Sequence, residues 1–301
     1  MIALDKSYGY EQIYNCLYEL GERYGSFTEF RLLGMSHDGR KIPMLQIGKG
    51  EEVLFCTAGI HGRERVNPVL LMKMSEEYCK AYERNWKIQD FYEVRALLDN
   101  VALCMIPLVN PDGYEIAGKG YGVIQNPIYR QMLRMKQLPY ETWKGNARGV
   151  DINRNFPCSS YRRKWMMEEP ASENETRALI RIMQEKESVG YLDFHSRGKV
   201  IYYYRHAMSP LYNQRSYCMA RHLQRLSRYR LARKDEEMLH QEDGGNSVQY
   251  YAEVRRTPAI TVETLAEEAA FPLDPAFQKE AFEEIHVLPL EYLFSLIGDD
   301  Y

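Results

Sequence analysis

The strongest constraint on the fold is a series of short apolar runs that alternate with longer segments of helical spacing. A run that is apolar throughout is typical of a strand covered on both faces, as in sheets that carry helices on either side. Strands are predicted at 30–35, 42–47, 53–58, 101–106, 191–195, 200–204 and 258–263. Helices are predicted at 8–24, 69–78, 88–99, 128–137, 172–187, 209–227, 246–254 and 274–297. The pattern therefore favours an α/β fold in which a mixed sheet lies between helices.

Length and charge limit the class of protein. With 301 residues, 45% of them hydrophobic, the chain can bury a large core, and we expect one domain over residues 1–301. The 39 basic and 42 acidic residues are spread along the chain, which argues against a nucleic-acid partner. No run approaches the roughly 18 apolar residues of a membrane span, and the first residues do not resemble a signal peptide. We therefore expect a cytoplasmic protein with no membrane partner.

Two potential metal ligands follow the apolar run at 53–58. His61 and Glu64 are separated by two residues and come after the strand ends, where open α/β sheets place their ligand crevices. His195 ends its own apolar strand, so a sheet can bring it beside the first two. Two histidines and a carboxylate with one open position form the ligand set of a catalytic zinc. Taken alone, a histidine at a strand end is more often a hydrogen-bonded structural residue.

Glu263 stands at the end of the last predicted strand. Apolar and β-branched residues surround it in the sequence, which indicates a carboxylate that is partly removed from water. Removal from water raises a carboxyl pKa toward the range of a general base, so Glu263 is a candidate base for an activated water. The alternative is a helix cap or a surface charge.

A polar loop at 149–157 lies inside a long stretch, 118–171, that has little periodicity. Such a stretch in a compact enzyme is usually a loop that forms the site. Arg154 offers a planar fork that suits a carboxylate, and Asn153 adds a neutral donor. The loop therefore predicts a grip on a substrate carboxylate, although its Asp and Asn residues also suit local backbone hydrogen bonds.

Five segments in a fixed order resemble the zinc carboxypeptidases of the carboxypeptidase A type. They are His61-x-x-Glu64, Asn110-Pro-Asp-Gly-Tyr114, Asp151-Ile-Asn-Arg-Asn-Phe156, Phe194-His-Ser196 and Val262-Glu-Thr-Leu265. The resemblance covers about residues 8 to 297, and the combination is far more specific than any one segment. It implies a three-layer α/β/α fold with a mixed, mostly parallel central sheet.

The resemblance also implies roles around one Zn²⁺ per chain. His61, Glu64 and His195 would bind the metal, and Asp151 would orient His61 from behind. Glu263 would be the general base.

Further implied roles concern the substrate. Asn153 and Arg154 would bind its terminal carboxylate, and Arg63 matches a secondary substrate contact. The arginine that polarises the scissile carbonyl in this family falls at Lys144 by register, with Arg148 close by, and either cation suits an oxyanion.

Two substrate positions depart from the family pattern. The mobile tyrosine that caps the substrate aligns near His240, with Tyr250 and Tyr251 as nearby alternatives. Ser247 falls near the base of the specificity pocket, where a small polar side chain argues against a preference for large apolar or basic residues.

The segments 143–151 and 194–199 look most like the bacterial branch that cleaves γ-D-glutamyl-diamino acid bonds in peptidoglycan stem peptides. Arg197 and Lys199 would meet the extra carboxylates of such a substrate, or they lie on a solvated loop. Two alternatives stay open: an ordinary metallocarboxypeptidase that acts on α-linked peptides, and a non-catalytic protein that binds stem peptides.

Overall fold

The computed structural model describes residues 1–163, 169–238 and 243–298. Its strands are β1 Thr28–Met35, β2 Lys41–Ile47, β3 Glu52–Ala58, β4 Lys87–Ile88, β5 Tyr92–Glu93, β6 Val101–Ile106, β7 Ser188–Ser196, β8 Val200–Tyr202, β9 Arg230–Leu231 and β10 Ala259–Thr264. Eight of them form one sheet, in the order β1-β2-β6-β3-β7-β10-β8-β9, and β4 pairs with β5 in a small hairpin. The predicted central strands are confirmed.

The centre of the sheet is parallel and its flanks are mixed. Strands β6, β3, β7 and β10 run in one direction, whereas β1, β2 and β8 join the sheet through antiparallel pairs. The carboxyl ends of the four parallel strands therefore meet at one edge, which is where such sheets place their ligands.

Helices cover both faces of the sheet. They are α1 Tyr10–Arg23, α2 Val66–Arg84, α3 Val94–Asn100, α4 Pro111–Lys119, α5 Pro127–Met135, α6 Asn174–Glu185, α7 Pro210–Ser227, α8 Ser247–Arg255, α9 Phe277–Ile285 and α10 Leu288–Gly298. Alternate residues of the strands enter two separate apolar cores, so Leu192 and Phe194 face one layer and Tyr191 faces the other. This is the predicted α/β/α architecture. None of the helices in the described ranges is both long and apolar enough to cross a membrane.

Three of the predicted elements differ from those observed. The segment 88–99 is not one helix, because β4 and β5 form a hairpin before α3 begins at Val94. The segment 274–297 divides into α9 and α10. The Asn-Pro and Asp-Gly pairs at 110–113 predict a loop after the strand at 101–106, but α4 begins there. The Asn110 side chain accepts a hydrogen bond from the Gly113 amide and Pro111 occupies the first helical turn, which together start a helix.

A buried acidic cluster at the start of α6 gives a prediction about stability. Glu175 is fully buried in α6, and burial together with the nearby negative charge of Asp112 raises its pKa to about 7. A pKa raised on folding favours the protonated form, so the resulting stability is complete below about pH 4.5 and is lost as the pH rises through 7. We expect wild-type protein to lose up to about 3 kcal/mol relative to Glu175→Gln between pH 4.5 and 8.

Urea unfolding at both pH values measures this difference in the free energy of unfolding. Glu22→Gln, an exposed position on α1, is the control and should track the wild type at both pH values. Equal pH dependence for wild type and Glu175→Gln would contradict the assignment.

Candidate metal centre and active-site cleft

The parallel strands bring the predicted site residues together. His195 lies in β7 directly beside Glu263 in β10, because the register of the two strands pairs these residues. On the other side of β7, Ala58 at the end of β3 pairs with Phe194, so the loop that carries His61 leaves the sheet next to His195. The topology of the sheet therefore converts three distant segments of the chain into one site.

The loop that carries His61 and Glu64 is held against the start of α4. The Gly62 amide donates to the Lys144 carbonyl oxygen at 3.1 Å. A Cβ atom at Gly62 would lie 2.3 Å from the carbonyl carbon of Gly113, so only glycine permits this approach. The side chain of Asn110 links the start of α4 to this loop, since it accepts from the Gly113 amide and donates to the Ile60 carbonyl oxygen.

Three side chains converge at the end of β3 and β7. His61 Nδ1 lies 2.6 Å from Glu64 Oε1, and His195 Nδ1 lies 3.0 Å from Glu64 Oε2. The two Nδ1 atoms are 3.2 Å apart. One ligand atom from each residue lies within 4.8 Å of the others, and all three residues are buried. The group has the composition and the closeness of a metal centre.

A carboxylate stands behind each of the two imidazoles. His195 Nε2 lies 3.0 Å from Asp193 Oδ2. His61 Nε2 lies 3.3 Å from Asp151 Oδ1, which is close enough for an ion pair although the two are not aligned as a hydrogen bond. Carboxylates at both Nε2 atoms favour a proton on Nε2, which leaves the Nδ1 lone pairs facing each other and Glu64. Such a convergence of lone pairs is stabilised by a cation.

Glu263 lies beside this group and carries a perturbed carboxyl. Burial raises its pKa to about 8, and the negative charge of Glu64 adds to this effect against the opposing influence of His195. A carboxyl with such a pKa can accept and return a proton near neutral pH.

His61, Glu64, His195 and Glu263 line one cleft of about 480 Å³. Its wall also carries Asn153 and Arg154. The side-chain Oδ1 of Asn153 accepts from the Ser247 amide at 3.1 Å, so its Nδ2 is the donor it can offer to a ligand. Arg154 Nη2 lies 3.4 Å from Asp243 Oδ1. The cleft therefore combines a metal-binding group with cationic and amide donors.

The family model for zinc carboxypeptidases matches residues 13–284. The chain belongs to the zinc carboxypeptidase family. It is 25% identical over 221 residues to gamma-D-glutamyl-L-diamino acid endopeptidase 1 of Lysinibacillus sphaericus, a match that covers 66% of this chain and 52% of that protein. It is 27% identical over 205 residues to carboxypeptidase O of Bos taurus, a match that covers 63% of this chain and 50% of that protein. The chain thus spans about half the length of the curated relatives it matches.

Solved structures confirm the zinc carboxypeptidase fold. Bovine thrombin-activatable fibrinolysis inhibitor, in complex with tick carboxypeptidase inhibitor, has a TM-score of 0.79 at 18% identity and covers 98% of this chain and 99% of its own. Carboxypeptidase A from Helicoverpa armigera has a TM-score of 0.72 at 20% identity, and the match covers 99% of this chain and 75% of that one. The family and the fold together support a metallopeptidase of the carboxypeptidase type.

Zinc is the metal of this family, and the donor group fits it. Two imidazole nitrogens and one carboxylate are the protein ligands that catalytic zinc sites use, with a further position left open. The carboxylates of Asp151 and Asp193 supply the orientation that ligating histidines require. Without a metal, Asp193 and Glu64 outweigh the effect of burial and raise the pKa of His195. Protons therefore compete with the metal for this imidazole.

Sequence reasoning missed Asp193. It is fully buried, and it accepts hydrogen bonds from Thr57 Oγ1 at 2.6 Å and Ser247 Oγ at 2.6 Å while facing His195. The signal was present, because an acidic residue two positions before His195 in an apolar strand points to the same face of the sheet.

Replacing Asp193 by asparagine should weaken zinc binding about 10-fold to 100-fold, because the amide no longer fixes the tautomer and the basicity of His195. Competition titration against a chelator measures the zinc affinity. Glu237→Gln, a buried acid elsewhere on the cleft wall, is the control and should leave the affinity unchanged. Equal zinc affinities for Asp193→Asn and the wild type would show that Asp193 does not act on the metal centre.

The structure separates the two candidate oxyanion cations. Lys144 lines the cleft, with its Nζ 3.4 Å from Asp151 Oδ2. Arg148 points away from the cleft, since its Nη1 pairs with Glu173 Oε1 at 3.1 Å. The expectation that Arg148 lies at the reacting centre is therefore corrected, and Lys144 remains the candidate.

The other predicted substrate contacts fall into two groups. Arg63 and Arg197 line the cleft, and their guanidinium carbons lie 4.4 Å and 5.5 Å from the ring centroid of Phe271. Lys199 instead pairs with Glu280 and Glu284, away from the metal group.

Three positions do not reach the cleft wall. Ser247 is fully buried and bonded to Asp193, so the cleft wall carries its neighbour Val248 instead. Tyr250 and Tyr251 are not among the described residues that line the cleft. The Tyr250 hydroxyl accepts from Gln184 Nε2, and the Tyr251 hydroxyl contacts Ser188 and Thr257. His240 lies outside the described residues.

Proposed function

We propose that the protein is a zinc-dependent peptidase that hydrolyses an amide bond next to a free carboxylate. The observation that carries this proposal is the presence, in one cleft, of the two-histidine and glutamate group, a glutamate with a raised pKa, and an arginine–asparagine pair. Bound zinc would supply Lewis acidity, making a water acidic and polarising the substrate carbonyl.

The residues of the chain would perform the remaining steps. Glu263 takes a proton from the attacking water and returns one to the leaving amine, for which a pKa of about 8 in the metal-free site is well placed. Lys144, which lines the same cleft, offsets the negative charge that develops on the carbonyl oxygen. Arg154 and Asn153 hold the carboxylate of the residue that leaves.

The substrate that we propose is a γ-D-glutamyl-diamino acid bond in peptidoglycan stem peptides. A glutamate linked through its side chain keeps a free α-carboxylate on the acyl side of the scissile bond. Arg63 and Arg197 stand together on Phe271 in the same cleft, and Arg63 Nε is buried without a hydrogen-bond partner among the described residues. This arrangement suits a second carboxylate. The name of the Lysinibacillus relative supports the same substrate class.

The second candidate is an ordinary metallocarboxypeptidase that releases single residues from α-linked peptides. The arginine–asparagine pair suits the terminal carboxylate of either substrate, and the similarity to carboxypeptidase O favours this candidate. The cytoplasmic location expected from the sequence stays a prediction.

Product analysis distinguishes the two candidates. Zinc-loaded protein is incubated separately with L-Ala-γ-D-Glu-diaminopimelate and with the α-linked L-Ala-L-Glu-diaminopimelate, and mass spectrometry identifies the products. We expect the γ-linked peptide to yield L-Ala-D-Glu and free diaminopimelate. Cleavage of the α-linked peptide alone would contradict the proposed bond specificity.

A further inference from the structure

Arg205 and Glu237 lie at the inner end of the active-site cleft, between this cleft and a second cavity. Both line the cleft, and both also line an adjoining cavity of about 280 Å³. A ligand that extends inward from the metal group would therefore meet these two side chains before entering the second cavity.

Arg205 is a buried cation whose donors are only partly used. Its side chain is 2% exposed. Nη1 donates to the Tyr204 carbonyl oxygen at 2.7 Å and Nη2 to the Ala259 carbonyl oxygen at 2.7 Å, whereas the buried Nε has no hydrogen-bond partner among the residues that the structure describes. No carboxylate of the described segments is hydrogen-bonded to it, and the acids that act on it through space are Glu237 and, to a smaller extent, Asp193. A buried charge with an unused donor is costly unless a ligand pairs with it.

Glu237 is the acidic counterpart in the same wall. Its side chain is 5% exposed. Oε2 accepts from the His206 amide at 2.6 Å and lies 2.5 Å from His206 Nδ1, and Oε1 accepts from Gln249 Nε2 at 3.3 Å, which fixes the carboxylate in place. A carboxylate has about four acceptor positions, so this group retains capacity for an ammonium donor.

The distance from the reacting centre selects for a long ligand. Glu263, Thr261 and Ala259 occupy alternate positions of β10 and so share one face of the strand. Arg205 is bonded at Ala259, four residues from Glu263, which corresponds to about 13 Å along a strand. Thr261 and its neighbour Tyr202 line the cleft between these points. A short side chain of the leaving residue would not span this distance.

We propose that Arg205 and Glu237 recognise the far end of the side chain of the leaving residue, where that end carries an ammonium and a carboxylate on one carbon. Diaminopimelate has such a side chain. Arg205 binds the distal carboxylate through Nε, and Glu237 accepts from the distal ammonium. This assignment rests on the proposed function, since it takes the diamino acid to be the residue released. Lysine offers only the ammonium, and 2-aminopimelate offers only the carboxylate.

A series of substrates tests the pair in the wild-type protein, where folding is not in question. γ-D-Glutamyl and α-linked peptides that end in diaminopimelate, lysine or 2-aminopimelate are compared by kcat/KM. We expect diaminopimelate to exceed each of the other two by about 10-fold to 100-fold, since each lacks one charge-assisted hydrogen bond. The difference should lie mainly in KM, because these contacts are remote from the bond that breaks.

Two variants test which charged group of the substrate each residue recognises. Arg205→Gln should bring diaminopimelate down to the level of lysine while leaving the lysine peptide within about 3-fold of the wild type. Glu237→Gln should bring diaminopimelate down to the level of 2-aminopimelate. Glu236→Gln is the matched control, because Glu236 also lines the cleft but its carboxylate is held by Arg230 at 2.8 Å. The control should keep the preference for diaminopimelate.

The outcomes separate this inference from the proposed function. Equal kcat/KM for the three end groups in active wild-type protein would overturn the role of the pair and leave the peptidase standing. Cleavage of only the α-linked series, with diaminopimelate preferred, would overturn the proposed bond and support the pair. If no peptide is cut, calorimetry with the same peptides decides the pair directly, because tighter binding of diaminopimelate supports it and equal binding overturns it.

Discussion

Glu263→Gln should lower kcat by about 100-fold to 10,000-fold while the protein keeps its zinc. Glutamine has nearly the same shape as glutamate but cannot take a proton from the attacking water. Glu263 is not among the three side chains that converge on the metal group, so the metal content should not change. Steady-state kinetics together with elemental analysis of zinc in the same preparation measures both quantities.

Glu267→Gln is the matched control for this prediction. Glu267 lines the same cleft four residues away, and its side chain is exposed. It should retain wild-type kcat within a few-fold. If wild type and Glu263→Gln bind stem peptides equally well and neither cleaves them, the protein is the non-catalytic binder that the sequence left open.

His195→Ala should remove both zinc and activity. His195 is 2% exposed and contributes one of the three metal-directed atoms, and its loss leaves only two ligands and removes the imidazole that faces buried Asp193. We expect the zinc content after dialysis to fall from about one per chain to below about 0.1, and kcat/KM to fall by at least about 1,000-fold. Elemental analysis and a peptide-cleavage assay measure the two effects.

His222→Ala provides the comparison for this variant. His222 lies on α7, pairs with Glu291 and is remote from the metal group. It should bind one zinc per chain and retain activity. Full zinc occupancy in His195→Ala would mean that the metal binds elsewhere, for instance at His37, Glu173 and Glu175, whose side chains also approach one another within 4.8 Å.

The sequence indicates which residues lie close together in the cleft where their positions depend on the ends of strands. His61, His195 and Glu263 each follow or end an apolar run, and parallel strands bring such positions to one edge of the sheet. The order of the motifs indicated the zinc carboxypeptidase family, which the match to residues 13–284 confirms. Fold class and central strands could therefore be read from local pattern and motif order.

The features that the sequence did not reveal depend on contacts between distant segments. Register places the oxyanion cation at Lys144 with Arg148 close by, and it is the pairing with buried Glu173 that holds Arg148 away from the cleft. Arg205 looks like an ordinary cation after a strand, yet its burial and its bond to Ala259 place it at the inner end of the cleft. Local periodicity contains no information about such partners.

The predicted helix at 88–99 failed for a related reason. Apolar residues at Ile88, Phe91, Tyr92 and Val94 imitate helical spacing, but Gln89 and Asp90 adopt positive φ angles of 53° and 54°. This left-handed turn closes the hairpin of β4 and β5 before α3 begins. A turn of this kind overrides a short periodic pattern, because its backbone conformation is incompatible with a continuing helix.

A crystal structure of zinc-loaded protein, with anomalous data at the zinc absorption edge, tests the metal centre directly. We expect one peak per chain, about 2.0 to 2.2 Å from Nδ1 of His61, Nδ1 of His195 and a carboxylate oxygen of Glu64. A peak at another group of side chains, or zinc bound to only one of these three residues, would contradict this expectation.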